Sequence, residues 1–188
     1  MGEPSFSSLK LKTKTAMKFI YLKTAAVLFC ALMSSTPTSR AEEKDTLNAK
    51  DTMFVKNEAA AGKAVVVIAQ LAVGKAKKPE IKTLAETLVK DHTAVNAELK
   101  ALATQKGIEL SAVMDPEETE VFQKLEKSDG AEFDKKFLSH IISGHKKCVH
   151  SFEECIAEGK NVDVKTWAAK KLPALKAHLS TAEALAGN

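Results

Sequence analysis

The chain has 188 residues, with 28 lysines and arginines against 24 aspartates and glutamates, but six of these basic residues and only one acidic residue lie within residues 1–41. Residues 42–188 therefore carry 22 basic and 23 acidic side chains, a net charge of −1, and contain neither arginine nor tyrosine. They lack the basic patch and the stacking aromatics of a nucleic-acid-binding protein, so we exclude that class of partner.

Residues 1–41 have the pattern of a secretory signal. Met17 is followed by two lysines, an apolar run over 24–33 and small side chains at the third and the last position before a cleavage point after Ala41. The apolar run is too short to span a bilayer. We expect translation to start at Met17 and a single domain over 42–188 to be periplasmic or otherwise exported, without a transmembrane segment.

The remainder of the chain has the composition of a helical protein, with proline placed at boundaries. Pro79 and Pro116 suit first helical turns, Asp115 is a good N-cap, and Gly159 ends a helix. Pro173 interrupts the last helix and should kink it. The pattern predicts five helices, at about 46–76, 79–107, 116–127, 131–158 and 162–185.

Each of the four long helices has an apolar stripe with the three- and four-residue spacing of a buried face. The short links at 77–79 and 159–161 make their flanking helices antiparallel neighbours. We place both links at the same end of the molecule. The predicted fold is all-α, an up-and-down four-helix bundle with one additional short helix.

Each of these stripes contains one residue of a type that binds metals: Glu58, His92, His145 and His178. Neutral imidazoles suit zinc, copper or iron, and Cys148, one turn from His145, could add a soft ligand. Counting residues from the links places His92 and His145 at one level, with Glu58 and His178 roughly 6–9 Å deeper. This spacing fits either one stretched metal site or two linked polar layers.

A polar core without metal explains the same pattern. Glu58 would then form a salt bridge with a histidine, and the buried network would fix how the helices pack. Cys148 would pack as a small hydrophobe. Cys148 and Cys155 lie seven residues apart on one helix, a rise of roughly 10 Å, which is too far for a disulfide between them. The other histidines, His140 and His150, fall nearer the wet side of that helix.

Four stretches of the chain stand out, in the order FVKNEAAAGKAVVVIAQLA, LAETLVKDHTAVNAELKALATQKGI, FLSHIISGHKKCVHSFEE and WAAKKLPALKAHL. Together they resemble the bacterial exported proteins grouped as domain of unknown function 4142, often labelled outer membrane proteins. The resemblance implies a ferritin-like helical bundle. Family motifs match at Glu58, at the Asp-His-Thr of 91–93 and at His178, whereas Gly144 stands where the family has an aspartate before His145, which puts any orienting role of that carboxylate in question.

Enzymatic function has little support in the residues. Di-iron members of the ferritin-like group carry Glu-x-x-His on two helices, and no histidine here has a glutamate three residues before it. No nucleophile–base pair, phosphate loop or dinucleotide fingerprint is found either. Three functions stay open: an exported bundle that binds a transition-metal ion, a non-catalytic envelope or stress-associated scaffold acting through protein contacts or as a homo-oligomer, and a metal-dependent oxidoreductase.

Overall fold

A computed structural model describes residues 47–187, which form five helices and no strand. The predicted all-α class and the bundle of four long helices with one short helix are confirmed. The predicted signal at 1–41 lies outside the described residues, and within them no helix is both long and apolar enough to cross a membrane. The helices are α1 (Ala49–Lys75), α2 (Pro79–Gln105), α3 (Pro116–Glu126), α4 (Gly130–Glu158) and α5 (Val162–Ala186).

Local capping explains where the outer helices begin. Asn48 accepts a hydrogen bond from the backbone N–H of Asp51 at 2.8 Å, and the Asp51 carboxylate reaches back to the N–H of Asn48, which forms a capping box for α1. Asn161 caps α5 by accepting from the N–H of Val164 at 3.1 Å. α5 then continues through Pro173 as one helix.

Two buried carboxylates show where the short links lie. Asp134, in α4, accepts hydrogen bonds from the N–H groups of residues 77 and 78 at 2.9 and 3.0 Å. Asp51, in α1, accepts from the N–H groups of residues 160 and 161, at 3.2 and 3.0 Å. One link therefore lies beside the start of α4 and the other beside the start of α1, at opposite ends of the bundle. The prediction that they share an end was wrong.

The connection between α2 and α4 causes this arrangement. Lys63 and Lys75 of α1 donate from their ammonium groups to the carbonyls of Ser111 and Glu126, so α3 travels back along α1. This return lets α4 start at the same end as α2. The contacting pairs of long helices are α1 with α2, α4 with α5, α1 with α4, and α2 with α5, and each is antiparallel. α2 and α4 therefore run in the same direction at opposite corners of the bundle.

The apolar core consists of two clusters, one toward each end. The first, beside the 159–161 link, contains Phe54, Phe152 and Trp167, whose ring centroids lie 5.1–6.2 Å apart. The second, beside the 77–78 link, contains the stacked rings of Phe133 and Phe137. A layer between the two clusters, at the middle of the bundle, is polar.

We expect Asp51→Ala to lower the free energy of unfolding by about 3 kcal/mol, because it leaves the N–H groups of residues 160 and 161 without the charged acceptor that holds the link. Asp51 is 1% exposed, so water cannot readily replace the carboxylate. Urea denaturation followed by circular dichroism measures this change. Glu158→Ala is the control: it removes an exposed ion pair with Lys50 at the same end and should cost far less stability than Asp51→Ala, because water screens that pair. Equal losses in the two variants would contradict the assigned role of Asp51.

Candidate metal centre

Three histidines from three helices meet in the polar layer. His92 lies in α2, His145 in α4 and His178 in α5, and they are 6%, 2% and 7% exposed. Their ring centroids are 5.5–5.6 Å apart. One ring nitrogen of each lies within 4.8 Å of a ring nitrogen of both others. This spacing brings three potential metal donors to one point.

The sequence places each ring where the buried face of its helix passes from one apolar cluster to the other. On α4, Ile141 belongs to the second cluster, Phe152 belongs to the first, and His145 lies between them. On α5, His178 separates Leu175 from Ala182 in the same way. The three rings are therefore closed in by hydrocarbon above and below, and their environment has a low dielectric constant.

The predicted depth offset of His178 was wrong, since its ring is as close to the other two as they are to each other. At the end with the 159–161 link, His145 lies 13 residues before Glu158 and His178 lies 16 residues after Val162. Side chains on a helix lean toward its N-terminus. The antiparallel α4 and α5 therefore tilt their two rings toward a common level.

Hydrogen bonds fix the outer nitrogen of two of the rings. His145 Nδ1 donates to the carbonyl of Ile141 at 3.0 Å, which leaves the Nε2 lone pair free. His178 Nε2 donates to the Asp91 carboxylate at 3.0 Å, which leaves Nδ1 free. His145 Nε2, His178 Nδ1 and also His92 Nε2 are buried without any hydrogen-bond partner. A buried nitrogen without a partner destabilises the fold, so three in one place call for an explanation.

Burial also keeps two of these imidazoles neutral. Loss of hydration, with a smaller contribution from the neighbouring imidazoles and against an opposing effect of Asp91, lowers the pKa of His92 to about 3. Loss of hydration likewise lowers the pKa of His145 to about 4. Near neutral pH these rings present lone pairs, which is the form that binds a metal ion.

Glu58, the fourth predicted ligand, does not belong to this group of three. It is half-buried on α1, beside Ser151 and Cys148 of α4. Burial raises the pKa of Glu58, and its neighbours Ser151 and Cys148 oppose that effect. The structure thus brings three of the four predicted residues together and places Glu58 beside Cys148.

Cys148 and Cys155, the two cysteines within residues 47–187, are free thiols. Burial raises the pKa of Cys155 to about 11 within the first apolar cluster, and burial together with the nearby Glu58 carboxylate raises the pKa of Cys148 further. Both groups are therefore thiols and not thiolates at neutral pH. A metal ion would have to displace the proton of Cys148 before it could bind sulfur.

A cavity of about 610 Å³ adjoins the polar layer, and we call it the side cavity. Among its lining residues are two of the three histidines. His140, expected on the wet side, also lines it and lies 3.3 Å from the Glu118 carboxylate of α3. His150, by contrast, is exposed as expected. Its polar lining residues include Glu58, His92, Glu118, His140, His145, Cys148 and Ser151.

Sequence reasoning missed the role of Asp91. The residue is part of the Asp-His-Thr motif, but its carboxylate orients His178 on the neighbouring helix and not the adjacent His92. Gly144 leaves His145 without a preceding aspartate, and the carbonyl of Ile141 provides the acceptor for that ring instead. Only the meeting of α2 and α5 in three dimensions shows the pairing of Asp91 with His178.

Several solved structures have a fold similar to that of this chain. A DUF305 fragment from Deinococcus radiodurans is 14% identical with a TM-score of 0.66, over 74% of this chain and 97% of that one. CopM in its Cu(II)-bound form is 17% identical (TM-score 0.63, 73% of this chain and 96% of that one), and CopM in its Cu(I)-bound form is 18% identical (0.60, 71% and 92%). At these identities the likeness shows the fold alone.

The search of curated proteins gave no match. A family model described as domain of unknown function (DUF4142) matches residues 36–185, which is most of the chain and includes all five helices. The match agrees with the order of motifs in the sequence. The chain belongs to the DUF4142 family.

Proposed function

We propose that this protein binds one copper ion through His92, His145 and His178. The observation that carries the proposal is the convergence of three buried imidazoles, which bring one ring nitrogen each within 4.8 Å of one another, while each ring also has a buried nitrogen without a hydrogen-bond partner. One bound ion would satisfy all three nitrogens at once. In the metal-free core His145 Nε2 and His178 Nδ1 both carry lone pairs, because the other nitrogen of each ring holds the proton, so neither can donate to the other.

The spacing suits a metal after a small contraction. A metal–nitrogen bond of about 2.0–2.1 Å puts donor nitrogens roughly 3.3–3.6 Å apart, so each ring has to move inward by less than about 1 Å. The outer nitrogens of His145 and His178 already donate to a carbonyl and a carboxylate. Such partners hold a metal-binding imidazole in the right tautomer and orientation.

Copper is the metal that this donor set favours. Imidazole nitrogens suit copper and zinc better than magnesium or calcium, and copper binds most strongly among the divalent first-row ions. The three donors are uncharged, and Asp91 supplies a single nearby negative charge. Monovalent copper would therefore leave the dry core closer to neutral than a dication would. CopM, of similar fold, was solved with Cu(I) and with Cu(II) bound, which is support by analogy only.

The proposed role is to hold copper in an exported compartment. The secretory pattern at 1–41 supports that location. A site in the centre of a bundle holds an ion away from water and from other reactants, which is what sequestration requires. The proposal assigns metal binding to the three rings, and it assigns them no catalytic reaction.

An anaerobic titration tests the proposal. Cu(I), supplied as its acetonitrile complex, is titrated into the protein in competition with a chromophoric Cu(I) chelator, and we expect one copper ion per chain. Trp167, the one tryptophan, lines the side cavity with His92 and His145, so its fluorescence should be quenched as copper binds. Excess Zn²⁺ should fail to displace the ion. If the chelator retains all the copper, the scaffold function takes over as the better account.

A further inference from the structure

The three histidines are closed to solvent, so an ion needs a path to them. None of the three residues is more than 7% exposed. His92 and His145 line the side cavity, whereas His178 does not. The side cavity therefore offers an approach to the two rings of α2 and α4, while His178 lies behind them.

The wall of this cavity carries a carboxylate, whose negative charge attracts a cation, and a thiol, whose sulfur binds soft metal ions once it loses its proton. Glu58 of α1 lies beside Cys148 and Ser151 of α4 in the lining of this cavity. Cys148 is one helical turn from His145. Only the side chain of Cys148 therefore separates Glu58 from His145, one of the three proposed copper ligands.

The outer part of the cavity is polar as well. The Oε2 atom of Glu118 is buried and lies 3.3 Å from His140 Nε2. A carboxylate oxygen of this kind attracts a cation. The cavity thus presents two carboxylates, Glu118 and Glu58, in addition to the two histidines.

We propose that the side cavity is the route by which copper reaches the three histidines, and that Glu58 binds the ion in transit. The inference rests on the proposed function. Within residues 47–187, no third histidine, cysteine or carboxylate donor joins Glu58 and Cys148 at the spacing found in the histidine group. Two donors hold an ion only weakly, which suits a position that must release its cargo to the three imidazoles.

Stopped-flow fluorescence of Trp167 tests the route in the full protein. Glu58→Gln keeps the shape of the side chain and its capacity to bond Ser151, but removes the charge. We expect it to slow the association of Cu(I), supplied as the acetonitrile complex, by about tenfold or more. Dissociation should slow by the same factor, because Glu58 is no ligand in the final complex, so the equilibrium affinity stays within about threefold. Glu86→Gln, an exposed change of equal charge on α2, is the control and should load at the wild-type rate.

A second variant blocks the cavity without touching a donor. A Cβ atom at Gly144 would meet no atom within 4 Å, and the residue lines the side cavity. Gly144→Leu should therefore fill the path and slow loading. Gly74→Leu is its control, because Gly74 is also helical, open and exposed but lies elsewhere on α1.

The outcomes separate the route from the site. Wild-type loading rates in both Glu58→Gln and Gly144→Leu would overturn the route while leaving copper binding intact. Weaker affinity of Glu58→Gln through faster dissociation alone would also overturn it, since Glu58 would then be a ligand of the bound ion. Absence of binding in the wild-type titration would overturn the proposed function and the route together.

Discussion

Replacing His145 with glutamine should weaken copper binding by about 100-fold or more. His145 is the most buried of the three rings, and its Nε2 has no hydrogen-bond partner in the metal-free protein. Removing one of three donors leaves a two-coordinate ion, and even changes to the groups that orient a ligand typically cost 10–100-fold in affinity. Competition with the chromophoric Cu(I) chelator measures the change directly.

His150→Gln is the matched control for that experiment. It changes the same residue type on the same helix, but the side chain is 75% exposed and faces only Glu154, 3.6 Å away. We expect the affinity of this variant for Cu(I) to equal that of the wild type. If the two variants bind equally well, copper is held elsewhere and the assignment of the three histidines is wrong.

The metal-free protein should lose stability steeply in mild acid. In the unfolded chain a histidine takes up a proton near pH 6.5, whereas in the fold His145 does so only near pH 4 and His92 near pH 3. The unfolded state therefore binds more protons throughout this window, so stability is highest above pH 6.5 and falls as the pH drops. Each ring contributes roughly 1.4 kcal/mol per pH unit, and the pair about 2–3 kcal/mol per unit between pH 6 and 4.

Glu58 acts in the opposite sense. Its pKa is raised in the fold from 4.5, so the folded state keeps a proton that the unfolded state has released. That contribution is full below pH 4.5 and is lost as the pH rises, which partly offsets the effect of the histidines. A comparison between variants that all retain Glu58 removes this term.

The double variant His92→Leu/His145→Leu isolates the contribution of the rings. Apolar side chains of similar size replace buried nitrogens that have no partner, so the metal-free variant should be at least as stable as the wild type at pH 7. Its stability should also decline much less between pH 6 and 4. Urea denaturation at pH 7, 6, 5 and 4 in the presence of a chelator gives both quantities. An acid dependence equal to that of the wild type would show that these rings are not held neutral by burial.

The helices, their buried faces and the candidate ligands could be predicted from spacing alone. A histidine at an apolar position of a regular stripe has to face the core, and this reasoning found all three rings. It failed to place the two short links at opposite ends of the bundle, because the return of residues 106–129 along α1 depends on contacts between distant residues. The hydrogen bonds of Asp51 and Asp134 to the two links fix that path. Nothing in the local sequence predicts these hydrogen bonds.

The same limit applies to the neighbours of each ligand. Stripe spacing places Glu58 on an inner face but cannot tell whether it meets a histidine or the Cys148–Ser151 surface of α4. It also cannot predict that Asp91 would reach His178 across a helix contact. Residue type and period determine which side chains are buried, whereas pairing across helices depends on rotation and height, which only the folded chain fixes.

X-ray absorption at the copper edge of the loaded protein tests the central claim most directly. We expect three nitrogen neighbours at about 2.0 Å with the outer-shell scattering of imidazole carbons, and no sulfur neighbour. A sulfur atom bound to copper, or fewer than three imidazoles, would contradict a site made of His92, His145 and His178.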